Sequence, residues 1–94
     1  MQKLKEVKVT STEVVDETGG LVTLLGKQVF FMCMNYFYTG VLAGVNTDCV
    51  LLEDPAIVYE TGPWSSSTWQ DAQKLGIPKL YVQISAIESF GLGK

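Results

Sequence analysis

The sequence predicts an all-β fold: one small barrel of five short, strongly bent antiparallel strands. Three observations carry this. Apolar runs rich in β-branched and aromatic residues recur from Gln28 to Phe90. Small polar turn residues punctuate them, Asn35 in one place and Asn46-Thr47-Asp48 in another. Gly40 interrupts an apolar strand pattern, where a glycine marks a sharp bend, a bulge or a close backbone approach.

Residues 1–19 read as a peripheral segment in which Glu6-Val7-Lys8-Val9-Thr10 alternates weakly, as a short edge strand would. Leu21-Val22-Thr23-Leu24-Leu25 fits either a helical turn or the start of a strand. Strand character begins at Gln28 and runs through Met34, then breaks at Asn35, which tolerates the left-handed backbone conformation. Tyr36–Val45 forms the second strand, bent at Gly40 and again at Gly44. The third begins at Cys49; Pro55 cannot donate to a ladder, so Asp54-Pro55 reads as a bulge before Ala56–Glu60. Residues 61–78 form a long polar loop, with Ser67 or Thr68 capping a short helix through Leu75 and Gly76 closing it. Its two tryptophans, Trp64 and Trp69, are expected to pack onto the barrel or a neighbour. Lys79–Ser85 is the fourth strand, with Leu80, Val82 and Ile84 on one face, and Ala86–Phe90 the fifth. Gly91–Lys94 reads as a tail. The chain is expected to be a single domain over residues 1–94, without internal repeats.

Composition narrows the function classes. The 94 residues are 47% hydrophobic and 18% charged, more apolar material than a small monomer readily hides. Part of that surface is expected to be buried against a second subunit. The net charge is −3, seven lysines supply all the positive charge, and there is neither Arg nor His. An acidic chain without Arg is a poor general binder of phosphate backbones, so DNA is not an expected partner. Without His, the usual general base and the commonest metal ligand are missing. Cys33 and Cys49 cannot form a zinc site by themselves and read as reduced apolar thiols. No phosphate loop and no nucleophile–base pair occurs, and Glu53-Asp54 reads as a solvated strand end. The expectation is a protein that is not an enzyme and uses no cofactor or metal. Gln28–Val45 carries no charge, but its polar residues and strand formers argue against a membrane span. The N-terminus lacks the apolar core of a signal peptide, and a cytoplasmic location is expected.

From Leu21 to Phe90 the chain resembles the Sm-like family, which includes Sm and LSm proteins and bacterial Hfq. Gly40, Leu42, Asn46 and Cys49-Val50-Leu51-Leu52 take the places of the family's first motif, with Asn46 where Asp is usual. Leu80–Ile87 is similar to the second motif, with Ile87 at the family's isoleucine and Ile84 where Sm proteins carry glycine. The resemblance implies a five-stranded barrel behind a short N-terminal helix, assembled as a homo-oligomeric ring through its edge strands. It also implies single-stranded, U-rich RNA bound near the ring pore. The RNA-contacting positions would be Asn46, Thr47, Asp48, Val50, Gln83 and Ser85. Two of them depart from the family's pattern, Asp48 replacing an aromatic or His and Gln83 a basic residue; Val50 stands where Sm and LSm proteins carry asparagine and Hfq-type members are also apolar. A ring that keeps the fold as a structural or protein-binding module without RNA is the alternative expectation.

Overall fold

The computed structural model describes residues 20–94. The peripheral segment 1–19 and its edge strand lie outside them. The described chain is all-β, with six antiparallel strands and two short 3-10 turns. The strands are β1 (Gln28–Cys33), β2 (Phe37–Val45), β3 (Cys49–Glu60), β4 (Asp71–Lys74), β5 (Lys79–Gln83) and β6 (Ile87–Leu92). They form one open sheet in the order β4-β3-β2-β1-β6, and β5 also pairs with β3.

β1 is an interior strand whose side chains alternate between core and surface while its backbone serves two neighbours. Val29, Phe31 and Cys33 point into the core, while the backbone pairs with β2 on one side and β6 on the other. β2 is short of a straight ladder at two places. Its register against β3 shifts between Thr39 and Val41 and again between Leu42 and Gly44, the two bends expected at Gly40 and Gly44. Each bulge adds local twist, which curls the sheet over its buried face. The single buried polar side chain among the described residues, Thr39, is satisfied: its hydroxyl donates to the Val29 carbonyl at 2.8 Å and accepts from Gln28 Nε2 at 3.0 Å.

β3 is one long strand with a kink, as Asp54-Pro55 predicts. Asp54 takes a left-handed φ of 50°, and Pro55 is buried. Cys49–Glu53 pairs with β5, and Ala56–Glu60 pairs with β4. At the changeover the Asp54 N–H donates to the Pro78 carbonyl (3.3 Å) and the Leu75 N–H to the Pro55 carbonyl (3.0 Å). β3 therefore serves two different partners on either side of a residue that lacks a donor.

The core is Val29, Phe31, Cys33, Leu42, Val50, Leu52 and Val82, with Leu21, Leu24, Tyr38, Leu80, Ile84 and Ile87 packed around it. Leu21 and Leu24 come from a 3-10 turn, Gly20–Leu24, laid over the core, which fits the helical turn that residues 21–25 allow and is not the short N-terminal α-helix that the resemblance implies.

Three expectations need correction. The segment read as a helix through Leu75 contains β4 instead, which makes six strands rather than five. Its backbone pairs with the second half of β3, and that long-range ladder outweighs a weak local cap. The fourth strand ends at Gln83, because Ile84–Ala86 turns as a 3-10 helix whose first N–H, that of Ile84, donates to the Asp48 carbonyl at 2.9 Å. Gly91 and Leu92 belong to β6 rather than to a tail, paired with Phe30 and Val29 of β1.

Candidate binding cleft

The Asn46-Thr47-Asp48 turn is built by one side chain. Asn46 Oδ1 accepts the backbone N–H groups of Asp48 at 2.7 Å and Cys49 at 2.8 Å, an Asx turn that leads directly into β3. The Asn46 N–H closes the turn on the Cys49 carbonyl at 3.0 Å. Cys49 is paired with Gln83, and the Ile84 N–H reaches the Asp48 carbonyl, so this turn and the end of β5 are fastened together. Two segments more than 30 residues apart in the chain thus form one rim.

A cleft of about 560 Å³ opens on that rim, lined by Asp48, Cys49, Tyr81, Gln83 and Ser85. Of the six positions suggested by the resemblance, Asp48, Gln83 and Ser85 line it together. Asn46 spends its carbonyl oxygen on the turn, and Thr47 is exposed beside the cleft without lining it. Val50 is fully buried and faces the core. None of the lining residues is a cation. Lys74 is paired with Asp54 at 2.7 Å, and Lys94 sits among aromatic rings elsewhere.

The aromatic contribution comes from Tyr81, which residue-type matching at position 48 did not reveal. Strand alternation is the signal that could have found it: Leu80 and Val82 turn inward, so Tyr81 and Gln83 share the outer face. Tyr81 is 64% exposed and lines both this cleft and a second, larger one of about 720 Å³. The second lies between the β1–β2 turn and the β5–β6 connection, with Met34, Tyr36, Tyr38 and Glu88 in its wall. Tyr36 and Tyr38 meet there with ring centroids 6.3 Å apart. Burial raises the Tyr38 phenol above its ordinary range, helped by Cys33 and Tyr36, and burial also raises the Cys33 thiol. Both groups are neutral at physiological pH, so Tyr38 can offer a hydrogen-bond donor but no charge.

Among the described residues no group of His, Cys, Asp and Glu is arranged to hold a metal ion. No helix among them is long and apolar enough to cross a membrane. Comparison with protein-family models, curated proteins and solved structures finds no match to this chain.

The Asx turn makes a direct prediction. Asn46→Ala removes the acceptor for two backbone N–H groups and is expected to cost about 1 kcal/mol, by analogy with the loss of a helix cap. Asn46→Asp keeps an oxygen in place and should retain most of that stability. Urea denaturation of both variants checks this; equal losses would show that the turn does not depend on the side-chain acceptor.

Proposed function

We propose that this chain is a subunit of a homomeric Sm-like ring that binds single-stranded RNA in the cleft bounded by Asp48, Tyr81, Gln83 and Ser85. The observation that carries the reading is the fastening of the Asn46–Asp48 turn to the end of β5, which brings the two motif segments to one rim. On that rim Tyr81 provides an aromatic face and Gln83 and Ser85 provide neutral hydrogen-bonding groups. A base can stack on a tyrosine and be read along its edge by an amide and a hydroxyl. With no cation lining the cleft, contacts to bases outweigh contacts to phosphates, and the salt dependence of binding is expected to be shallow.

Support for a ring comes from the strand edges. Among the described residues β5 is bonded only to β3 and β6 only to β1, so each leaves one edge unpaired by them. Tyr81, Phe90 and Leu92 on these strands are exposed. Unpaired edges with apolar side chains are a liability that head-to-tail pairing between copies removes, provided the rotation closes.

The carboxylate of Asp48 favours a second reading: a ring that acts as a protein scaffold and does not take RNA. Light scattering on a size-exclusion column, with and without labelled oligo-U at moderate salt, separates the two. The first reading expects a discrete oligomer that co-migrates with RNA. It also expects Tyr81→Ala or Gln83→Ala to weaken binding, the former by roughly tenfold as for one lost stacking partner, with ring size unchanged. A discrete oligomer that ignores RNA is the scaffold, and a monomer overturns both.

A further inference from the structure

A second cluster of side chains, not shared with the cleft, surrounds a cation. Phe30 of β1 carries Trp64 and Trp69 on its ring, with centroids 5.5 Å and 5.8 Å away. The two indoles stand edge to face, 5.6 Å apart at 84°. Phe30 itself lies over Gly91 of β6, where an added Cβ would meet its Cζ at 2.9 Å. The three rings are held by one another, by β1 and by the bare backbone at Gly91. Into this cluster comes the Lys94 ammonium, 4.4 Å from the Trp69 ring centroid and 5.0 Å from that of Trp64. It donates to the Thr61 carbonyl at 2.9 Å and the Pro63 carbonyl at 3.2 Å.

The chemistry of these contacts is specific. Two π faces attract a cation, and indole is the strongest such face among side chains. Two carbonyls take two of the three ammonium protons, which distinguishes a primary ammonium from a di- or trimethylated one, which has too few N–H groups to serve both. Among the described residues no carboxylate pairs with Lys94, and the contacts that hold its ammonium are rings and carbonyl dipoles. The walls belong to β1 and the loop after β3, whereas the occupant arrives on one flexible four-carbon stem that follows β6. The Trp69 Nε1–H is buried without a partner among the described residues, a cost that packing of the indole ring must offset.

We propose that Trp64 and Trp69, backed by Phe30, form with the Thr61 and Pro63 carbonyls an aromatic cage for a lysine-type primary alkylammonium, and that Lys94 is its intramolecular occupant. A lysine side chain presented by a partner protein competes with Lys94 for the cage. This is independent of the RNA cleft, which shares none of these residues.

The test uses Lys94→Gln in the full chain, with n-butylammonium as the probe and sodium chloride at equal ionic strength as the control. Tryptophan indole N–H resonances report on the cage. The expected result is a saturable shift of both indoles in Lys94→Gln, with a Kd on the order of millimolar, as a few cation–π and carbonyl contacts allow. The unsubstituted chain should need about twofold more probe, because the tethered ammonium competes at a millimolar effective concentration against a millimolar Kd. Tetramethylammonium should bind more weakly, and adding Trp69→Leu to Lys94→Gln should abolish the shift. An unsaturable response, or one matched by sodium, overturns the proposal. So does a Lys94→Gln protein whose indole resonances collapse to solvent-exposed values, since Lys94 would then be a structural clamp and not the occupant of a preformed site.

Discussion

Gly40→Val is expected to abolish soluble, assembled protein. A Cβ at Gly40 would sit 2.9 Å from the Glu53 carbonyl oxygen, 3.3 Å from Leu52 Cβ and 3.4 Å from Pro55 Cα. Two of these three atoms are backbone, at the stretch of β3 where the register shifts past Asp54-Pro55, so no rotamer change relieves the contact. Valine adds two methyl groups in a position that is already buried. Overpacking of this kind costs typically 1–3 kcal/mol, and contact with backbone places it at or above the upper end, roughly 3 kcal/mol. For a domain of this size that is a fall in melting temperature of about 15 °C. It is also a large part of the whole folding free energy. Gly40→Ala should show a smaller loss of the same sign. Thermal unfolding and light scattering check both; a Gly40→Val protein that melts within a few degrees of the parent and keeps its oligomeric state would remove close approach as the reason for glycine.

Phe31→Ala should be at least as damaging through the opposite defect. Phe31 is fully buried in β1, an interior strand, opposite Tyr38 of β2 and Phe90 of β6, with the Phe90 ring centroid 6.2 Å away. Removing the ring leaves a cavity bounded by three paired strands, which cannot close without breaking ladders. The expected loss is about 3–5 kcal/mol, the range for buried Phe→Ala. Phe31→Leu should recover much of it, because most of the volume is restored. The urea midpoint should fall with little change in slope. A loss under roughly 1.5 kcal/mol would mean that the sheet collapses onto the site, contrary to the rigidity expected of close-packed interiors.

The strands most legible in the sequence are those whose signals are local. Alternation puts Leu80, Val82 and Ile84 on one face, and Asn35 and Asn46-Thr47-Asp48 interrupt the strands where the chain turns, whereas residues 29–34 are apolar throughout and only the fold turns Val29, Phe31 and Cys33 inward. Gly40, Gly44 and Asp54-Pro55 mark the irregularities of β2 and β3. β4 was not legible, because Asp71-Ala72-Gln73-Lys74 is polar, fully exposed and poor in strand formers. Only the edge that β3 offers after Pro55 makes it a strand.

The candidate cleft divides in the same way. Family resemblance draws attention to Asp48, Gln83 and Ser85, which line it, and equally to Val50, which the fold buries. Residue type at a motif position does not report which way a side chain points, whereas strand parity does. Applied to β5, parity places Tyr81 beside Gln83.

The sequence by itself determined an all-β chain, the turns at Asn35 and Asn46–Asp48, the bend at Gly40 and the apolar residues that fill the core. Each depends on a residue's own conformational preference or on neighbours two positions away, so the information is present in any short window. Tertiary structure alone decided that β3 changes partner from β5 to β4, that the Asn46–Asp48 turn and the end of β5 share a rim, and that Lys94 reaches Trp64 and Trp69. These join residues from 11 to 36 positions apart, whose meeting depends on the closing of loops and the curl of the whole sheet rather than on local propensity.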